Sequence, residues 1–270
     1  MERPRSHVVR AADGVGIHVE TRGTGRPVVM VQGLGYAAWA WAPQAAAVAE
    51  VARAVVMDNR GTGRSDKPPA PYSIEQMADD VAAVIEDAGS GAVVVGASMG
   101  GYIAMTLAVR RPDLVERLVL ASTLTGGPGS VGVPETTLAA WAAHAHLPAA
   151  EFARATMPLS LAPGWAEAHP DEFERLLAAR LEHPTPPECW RAQWDACERF
   201  LRVGVPDGEI GVPTWVVHGT EDRVVPYANA ELIPRRIPQA DIVTITGSGH
   251  LCWLERPDEV NRLLLHVVSD

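Results

Sequence analysis

Lysine is almost missing from this 270-residue chain: Lys67 is the only one among 23 basic residues, the rest being arginine. With alanine abundant as well, this is the bias of a GC-rich coding sequence, so arginine and alanine counts carry little functional information. Basic charge is also in deficit, with 23 Lys and Arg against 33 Asp and Glu and a formal charge of −10. Such a surface repels phosphate, which argues against nucleic acid or an anionic membrane as partner. Cysteine is scarce. Cys189, Cys197 and Cys252 are too few and too dispersed for a disulfide framework and show no metal-binding spacing, so they are expected to be reduced and intracellular. Residues 1–7 lack the apolar stretch and small-residue cleavage site of a secretory signal, so the expected location is the cytoplasm. Uninterrupted apolar spans are absent too. Residues 27–49 and 88–109 are uncharged and long enough to imitate a membrane helix. The first, however, holds Gln32-Gly33-Leu34-Gly35 and Pro43 and the second holds five glycines, so each reads as buried strand, tight turn, then helix.

What is present is a chain of ordinary globular composition, 47% hydrophobic and 21% charged. Its length fits one α/β unit carrying an insertion. Residues 7–10 and 15–21 are short β-prone runs joined by Ala-Asp-Gly and predict an antiparallel hairpin or meander. Apolar runs without alternation follow at 28–31, 54–57, 92–95, 118–121, 214–217 and 242–246, the pattern of strands buried on both faces of a parallel sheet. Helical segments separate them. The clearest is 73–88, where Ser73 and Gln76 make a capping-box pattern and Ile74, Met77, Val81, Val84 and Ile85 recur at helical spacing. Strand alternating with helix predicts an α/β fold with a mostly parallel central sheet flanked by helices. The alternation stops over 124–205, which reads as an all-helical insertion, or lid, over the sheet. The core then comprises residues 1–123 and 206–270, closed by a helix over 257–268.

The segment 93–105 reads as a buried strand, then Gly96-Ala97-Ser98-Met99-Gly100, then a helix. A serine hydroxyl becomes a nucleophile only where it projects beside a base and close to donors for the oxyanion it creates. A sharp strand-to-helix turn presents it that way, and side chains in place of Gly96 and Gly100 would clash with neighbouring backbone. The bland alternative is a glycine-rich turn that tightens the junction.

At these residues the chain resembles the α/β-hydrolase superfamily, whose members use the chain order serine, acid, histidine. The resemblance implies Asp222, in Gly219-Thr220-Glu221-Asp222, as the acid, with Glu221 its local rival, and His250, in Gly247-Ser248-Gly249-His250, as the base. It implies an oxyanion hole made by the N–H groups of Met99 and Leu34, with Gly33 letting the backbone turn. Here the chain departs from the family's usual His-Gly, having Gln32-Gly33, though Gln32 retains groups to brace the loop. The stretch Asp58-Asn59-Arg60-Gly61-Thr62-Gly63-Arg64-Ser65-Asp66 looks like a structural loop motif of the same family, and 254–260 like its closing helix. Among the other histidines, His218 is expected to brace a loop. His144 and His146 point to different helix faces and make a poor metal pair.

The branch most closely resembled is that of enol-lactonases and small-molecule esterases. It implies a hydrolase cutting a carboxylic ester or lactone through Ser98, His250 and Asp222, with no metal and no organic cofactor. The substrate would be a small, fairly apolar molecule in a pocket lined by Gly33, Tyr36, Trp141, Trp165, Trp190, Gln193 and Trp194, with Trp39 and Trp41 nearby. Large aromatics also dominate ordinary cores, so each tryptophan has lid packing as its competing role. A C–C bond hydrolase or a cofactor-free perhydrolase on the same fold is the alternative reaction. A non-hydrolytic receptor-like or cyclisation protein retaining the elbow is the alternative of another class. Neither substrate identity nor oligomeric state is legible.

Overall fold

The structure, a computed structural model, describes residues 4–89 and 91–269. Eight strands form one sheet: β1 (Arg5–Arg10), β2 (Gly16–Arg22), β3 (Pro27–Val31), β4 (Arg53–Met57), β5 (Ala92–Ala97), β6 (Val115–Ala121), β7 (Thr214–Gly219) and β8 (Ala240–Ile245). Their order is β1-β2-β4-β3-β5-β6-β7-β8. The expected hairpin is present as β1 and β2, with Arg5 opposite Thr21 and Arg10 opposite Gly16, and β2 is also antiparallel to β4. From β4 to β8 every pairing is parallel.

Successive side chains of a strand point to opposite faces, and here both faces are covered. Val29, Val31, Val55, Met57 and Val94 pack on one side with α2 (Ile74–Ala88) and α3 (Met99–Arg110). Val28, Met30, Ala54, Val56, Val93 and Val95 pack on the other with α1 (Ala42–Val48) and the C-terminal helix. This is why the central strands are apolar without alternation. The last strand departs from that expectation. β8 is an edge strand with Ile242 38% exposed, because only β7 lies beside it.

The capping pattern operates as anticipated: Ser73 is the N-cap of α2 and its Oγ accepts from the Gln76 N–H at 3.1 Å. Between β6 and β7 the chain is helical: α4 (Glu135–His144), α5 (Ala149–Thr156), α6 (Trp165–Ala168), α7 (Pro170–Glu182) and α8 (Pro187–Val203). Cys189, Ala192, Ala196, Cys197 and Phe200 of α8 join the core that α2 and α3 make on the sheet. In contrast, α4 buries only Thr137. The chain closes with α9 (Ala228–Leu232), α10 (Cys252–Glu255) and α11 (Pro257–Ser269). The three cysteines are free and buried. No helix among the described residues is long and apolar enough to cross a membrane.

Candidate active site

Ser98 stands between the last residue of β5 and the first of α3, with φ +53° and ψ −119°. A non-glycine residue in such a conformation costs on the order of 1–3 kcal/mol and persists only where its surroundings hold it. The Ser98 N–H donates to the Ala121 carbonyl at 2.9 Å. Its own carbonyl accepts from the Gly101 N–H and the Thr123 hydroxyl, both at 2.8 Å. The glycines permit the close approach: a Cβ on Gly96 would lie 2.3 Å from the Gly100 carbonyl oxygen, and one on Gly100 would lie 2.2 Å from that of Val31.

The acid and the base come from the loops after β7 and β8, neighbouring parallel strands whose C-terminal ends share one edge of the sheet. The His250 Nδ1–H donates to Asp222 Oδ2 at 2.8 Å. An ionised carboxylate only accepts, so Nδ1 carries a proton, and the neutral form of the ring then has its lone pair on Nε2. Asp222 Oδ1 accepts from the N–H groups of Val224 and Val225, each at 2.8 Å. Burial alone would raise the carboxyl pKa. The His250 and His218 rings at 2.8 and 3.2 Å outweigh it and hold Asp222 down at about 2. Glu221 is exposed, whereas Asp222 is 7% exposed.

Ser98 and His250 line a cavity of about 120 Å³ beneath the helical segment. Its wall includes the loop after β3, where three polar side chains fix the backbone. The Gln32 side-chain oxygen accepts from the Gly33 N–H at 3.3 Å, and Asn59 Nδ2 donates to the Gln32 carbonyl at 2.8 Å. Gln193 of α8 accepts from the Gly35 N–H at 2.9 Å and donates to the Arg60 carbonyl at 3.0 Å. Leu34 and Met99 both line the cavity, and Met99 opens α3, where a helix leaves N–H groups without intrahelical partners.

Of the other residues singled out in the sequence, Gly33, Tyr36, Trp141, Trp190 and Trp194 line the cavity. Trp190 stacks on Trp194 at 5.4 Å, and Trp141 meets Trp194 edge-on at 6.1 Å. Trp165 and Gln193 lie outside it. Trp165 is packed in the core below α7 and stacks on His169 at 4.7 Å, while Gln193 is wholly buried between two loops. Trp41 is likewise buried, tilted against Trp253 at 5.1 Å.

Some participants escaped the sequence reading. Glu255 accepts from the Gly249 N–H at 2.9 Å and the Ala162 N–H at 3.0 Å, tying the His250 loop to the helical segment, and burial pushes its carboxyl up. Its signal was a carboxylate directly after the apolar run 251–254, two residues before Pro257. Arg180, Phe152, Glu198 and Trp253 also line the cavity, and nothing local in the sequence singles them out. His218 does brace its loop, through Nε2 to the Val225 carbonyl at 2.8 Å, and also contacts Asp222. The motif 58–66 is bonded within itself and to its surroundings. Asp58 accepts from the N–H groups of Ala38 and Arg64, and Arg60 makes a two-pronged pair with Asp80 at 2.6 and 2.7 Å. A second Ser–His–Asp row exists, with Ser6 Oγ 2.6 Å from His18 Nε2 and His18 Nδ1 3.2 Å from Asp58. Its serine lies exposed on the edge strand β1.

Known proteins share this fold. The family model described as alpha/beta hydrolase fold matches residues 26–257. The RutD protein of Azorhizobium caulinodans, provisionally named a carbamate hydrolase, is 30% identical over 260 residues, covering 92% of this chain and 93% of that protein. Among solved structures, Est816, described as an N-acyl homoserine lactone degrading enzyme, is 32% identical with TM-score 0.78, covering 96% of this chain and 99% of that one. A thermophilic esterase from Thermogutta terrifontis, solved with malate bound, is 26% identical with TM-score 0.81, covering 98% of each chain. With an eight-stranded, mostly parallel sheet, a serine elbow after β5 and a family match over most of its length, the chain belongs to the alpha/beta hydrolase fold family and is a hydrolase.

Proposed function

We propose that the enzyme hydrolyses the carboxylic ester or lactone of a compact, largely apolar molecule through an acyl-enzyme on Ser98. The observation that carries this reading is the Asp222–His250 pair at 2.8 Å, with the imidazole in the same cavity as a serine held at positive φ. The His250 Nε2 lone pair takes the Ser98 hydroxyl proton as Oγ attacks the carbonyl carbon, and Asp222 stabilises the imidazolium. The developing oxyanion receives the N–H groups of Leu34 and Met99. Collapse expels the alkoxide, which takes the proton from His250. Water, deprotonated by the same nitrogen, then releases the acid and restores Ser98.

The helical segment 124–205 acts as the cap that supplies specificity through Trp141, Trp190 and Trp194. A cavity of about 120 Å³ suits a molecule of few atoms, since about 150 Å³ accommodates benzene. The similarity to Est816 and the Thermogutta esterase supports a lactone or ester, and that to RutD makes a carbamate the second reading. A carbamate carbonyl would be attacked by the same serine.

The test is Ser98→Ala, assayed on short p-nitrophenyl esters, lactones and carbamates. Turnover is expected to fall by at least a thousandfold with the far-UV circular dichroism unchanged, and a fluorophosphonate probe should label the native enzyme at Ser98 and leave Ser6 unmodified. Turnover near the native level in Ser98→Ala overturns the triad. Products with a shortened carbon skeleton would establish C–C cleavage instead.

A further inference from the structure

Resting on the ester or lactone reading above, we infer that Arg180 makes the cavity a site for esters bearing a carboxylate, which it binds beside the oxyanion loop. Arg180 and Glu198 are the ionic side chains among the cavity's described lining besides His250. The arginines of the surrounding helices are otherwise engaged. Arg154 pairs with Glu174, Arg175 with Glu172, Arg191 with Asp195 and Arg202 with Glu198, and Arg199 donates to the Tyr72 carbonyl. Arg180 differs. Its guanidinium lies over the Tyr36 ring, 4.8 Å from the centroid, and Nη1 donates to the Tyr36 hydroxyl at 3.3 Å. Among the described residues, no carboxylate forms an ion pair with it, in a chain with 33 acidic residues against 23 basic ones.

A guanidinium carries five N–H donors in a planar fork, and one hydrogen bond to a tyrosine hydroxyl leaves most of them free. Its place over the Tyr36 face and the bond to the Tyr36 hydroxyl restrain the guanidinium. That fork, in a largely apolar lining, matches the geometry of a carboxylate.

The cavity is also polar in a definite direction. Tyr36 belongs to the loop whose Gly35 packs against Trp190, so closely that a Cβ there would lie 2.7 Å from the indole. Arg180 and Trp190 thus flank the oxyanion loop. Glu198 is eight residues beyond Trp190 on the same helix, roughly 12 Å further along at a rise of about 1.5 Å per residue. The unpaired cation of the cavity is therefore at the oxyanion loop, whereas Glu198, further along the helix, is paired with Arg202 at 3.8 Å. An anionic substituent is drawn to the Arg180 end, which sets the direction in which the substrate enters.

The experiment compares monomethyl glutarate with methyl pentanoate, a neutral ester of similar length, in native enzyme, Arg180→Gln and Arg180→Lys, following acid release. The ratio of kcat/KM for the carboxylated ester over the neutral one is expected to fall ten- to a hundredfold in Arg180→Gln, mainly through KM, and to be partly recovered in Arg180→Lys. If Arg180 served only to brace Tyr36, both substrates would suffer equally and the ratio would stay put, which overturns the proposal. A readout without turnover separates this from the hydrolase reading: quenching of tryptophan fluorescence by monomethyl glutarate in Ser98→Ala. Saturable quenching that disappears in Ser98→Ala/Arg180→Gln supports the subsite even if the native enzyme cuts neither ester. Equal binding by both variants, or none by Ser98→Ala, overturns it.

Discussion

Asp222 accepts two backbone N–H groups on one oxygen and the His250 ring on the other. Asp222→Asn keeps the volume but presents an amide where an acceptor is needed, so His250 loses the tautomer with its lone pair on Nε2. In the serine-protease case the matching change lowers kcat about 10⁴-fold, and a loss of that order is expected here in steady-state assays. Asp222 also makes stability depend on pH. Its folded pKa of about 2 lies below the ordinary 3.8, so its stabilisation is fully present above pH 3.8 and is lost as the pH falls towards 2. Denaturation midpoints measured from pH 5 to pH 2 should drop over that window, and Asp222→Asn should flatten the drop. At Gly100 the constraint is space, because a Cβ would meet the Val31 carbonyl oxygen at 2.2 Å. Gly100→Ala must push β3 away from α3 and is expected to cost about 3 kcal/mol or more in urea titrations, with activity lost in whatever remains folded.

The elements around the cavity are anchored unequally. α8 contributes five side chains to the central core and, through Gln193, holds both the loop after β3 and the 58–66 loop. Gln193→Leu leaves the Gly35 N–H and the Arg60 carbonyl unpaired inside the protein. Each unpaired buried group costs about 1–3 kcal/mol, and the oxyanion loop loses its register. The expected result is a fall in kcat larger than any change in KM, with a lower unfolding midpoint, measured by steady-state kinetics and thermal melts. By contrast α4 buries one residue and leaves Leu138 40% exposed. Segments with little buried surface open most readily. Hydrogen exchange followed by mass spectrometry should therefore deuterate 135–144 well before 187–203. Trp141 sits on α4, so the cavity wall it provides is the one most easily displaced.

At the scale of the whole molecule, the helical segment and the sheet share continuous cores, since Phe200 and Cys197 of α8 pack with Tyr102 and Leu124 as well as with the sheet valines. Such a chain should unfold in one transition. Tryptophan fluorescence, reporting on both the helical segment and the sheet core, and far-UV circular dichroism should give coincident thermal curves. Two separated transitions would mean that the cap folds by itself.

The sequence determined what depends on near neighbours along the chain. The parallel strands were legible because burial on both faces removes alternation, and the cap of α2 because Ser73 and Gln76 are three residues apart. The serine elbow was legible too, since its strain is local and demands glycine at two nearby positions. The pairing of Asp222 with His250 could be expected only through the family's order, because the two lie on separate loops that adjacent strands bring together. Tertiary structure alone decided which aromatic residues face the cavity: Trp165 and Trp190 carry the same composition signal, yet one is core and the other wall. It also decided that Gln193 holds a loop and that Arg180, one arginine among many, is left over Tyr36 with only one donor engaged. Periodicity tells which side of a helix is apolar, but only the packing of helices on the sheet chooses what that side meets.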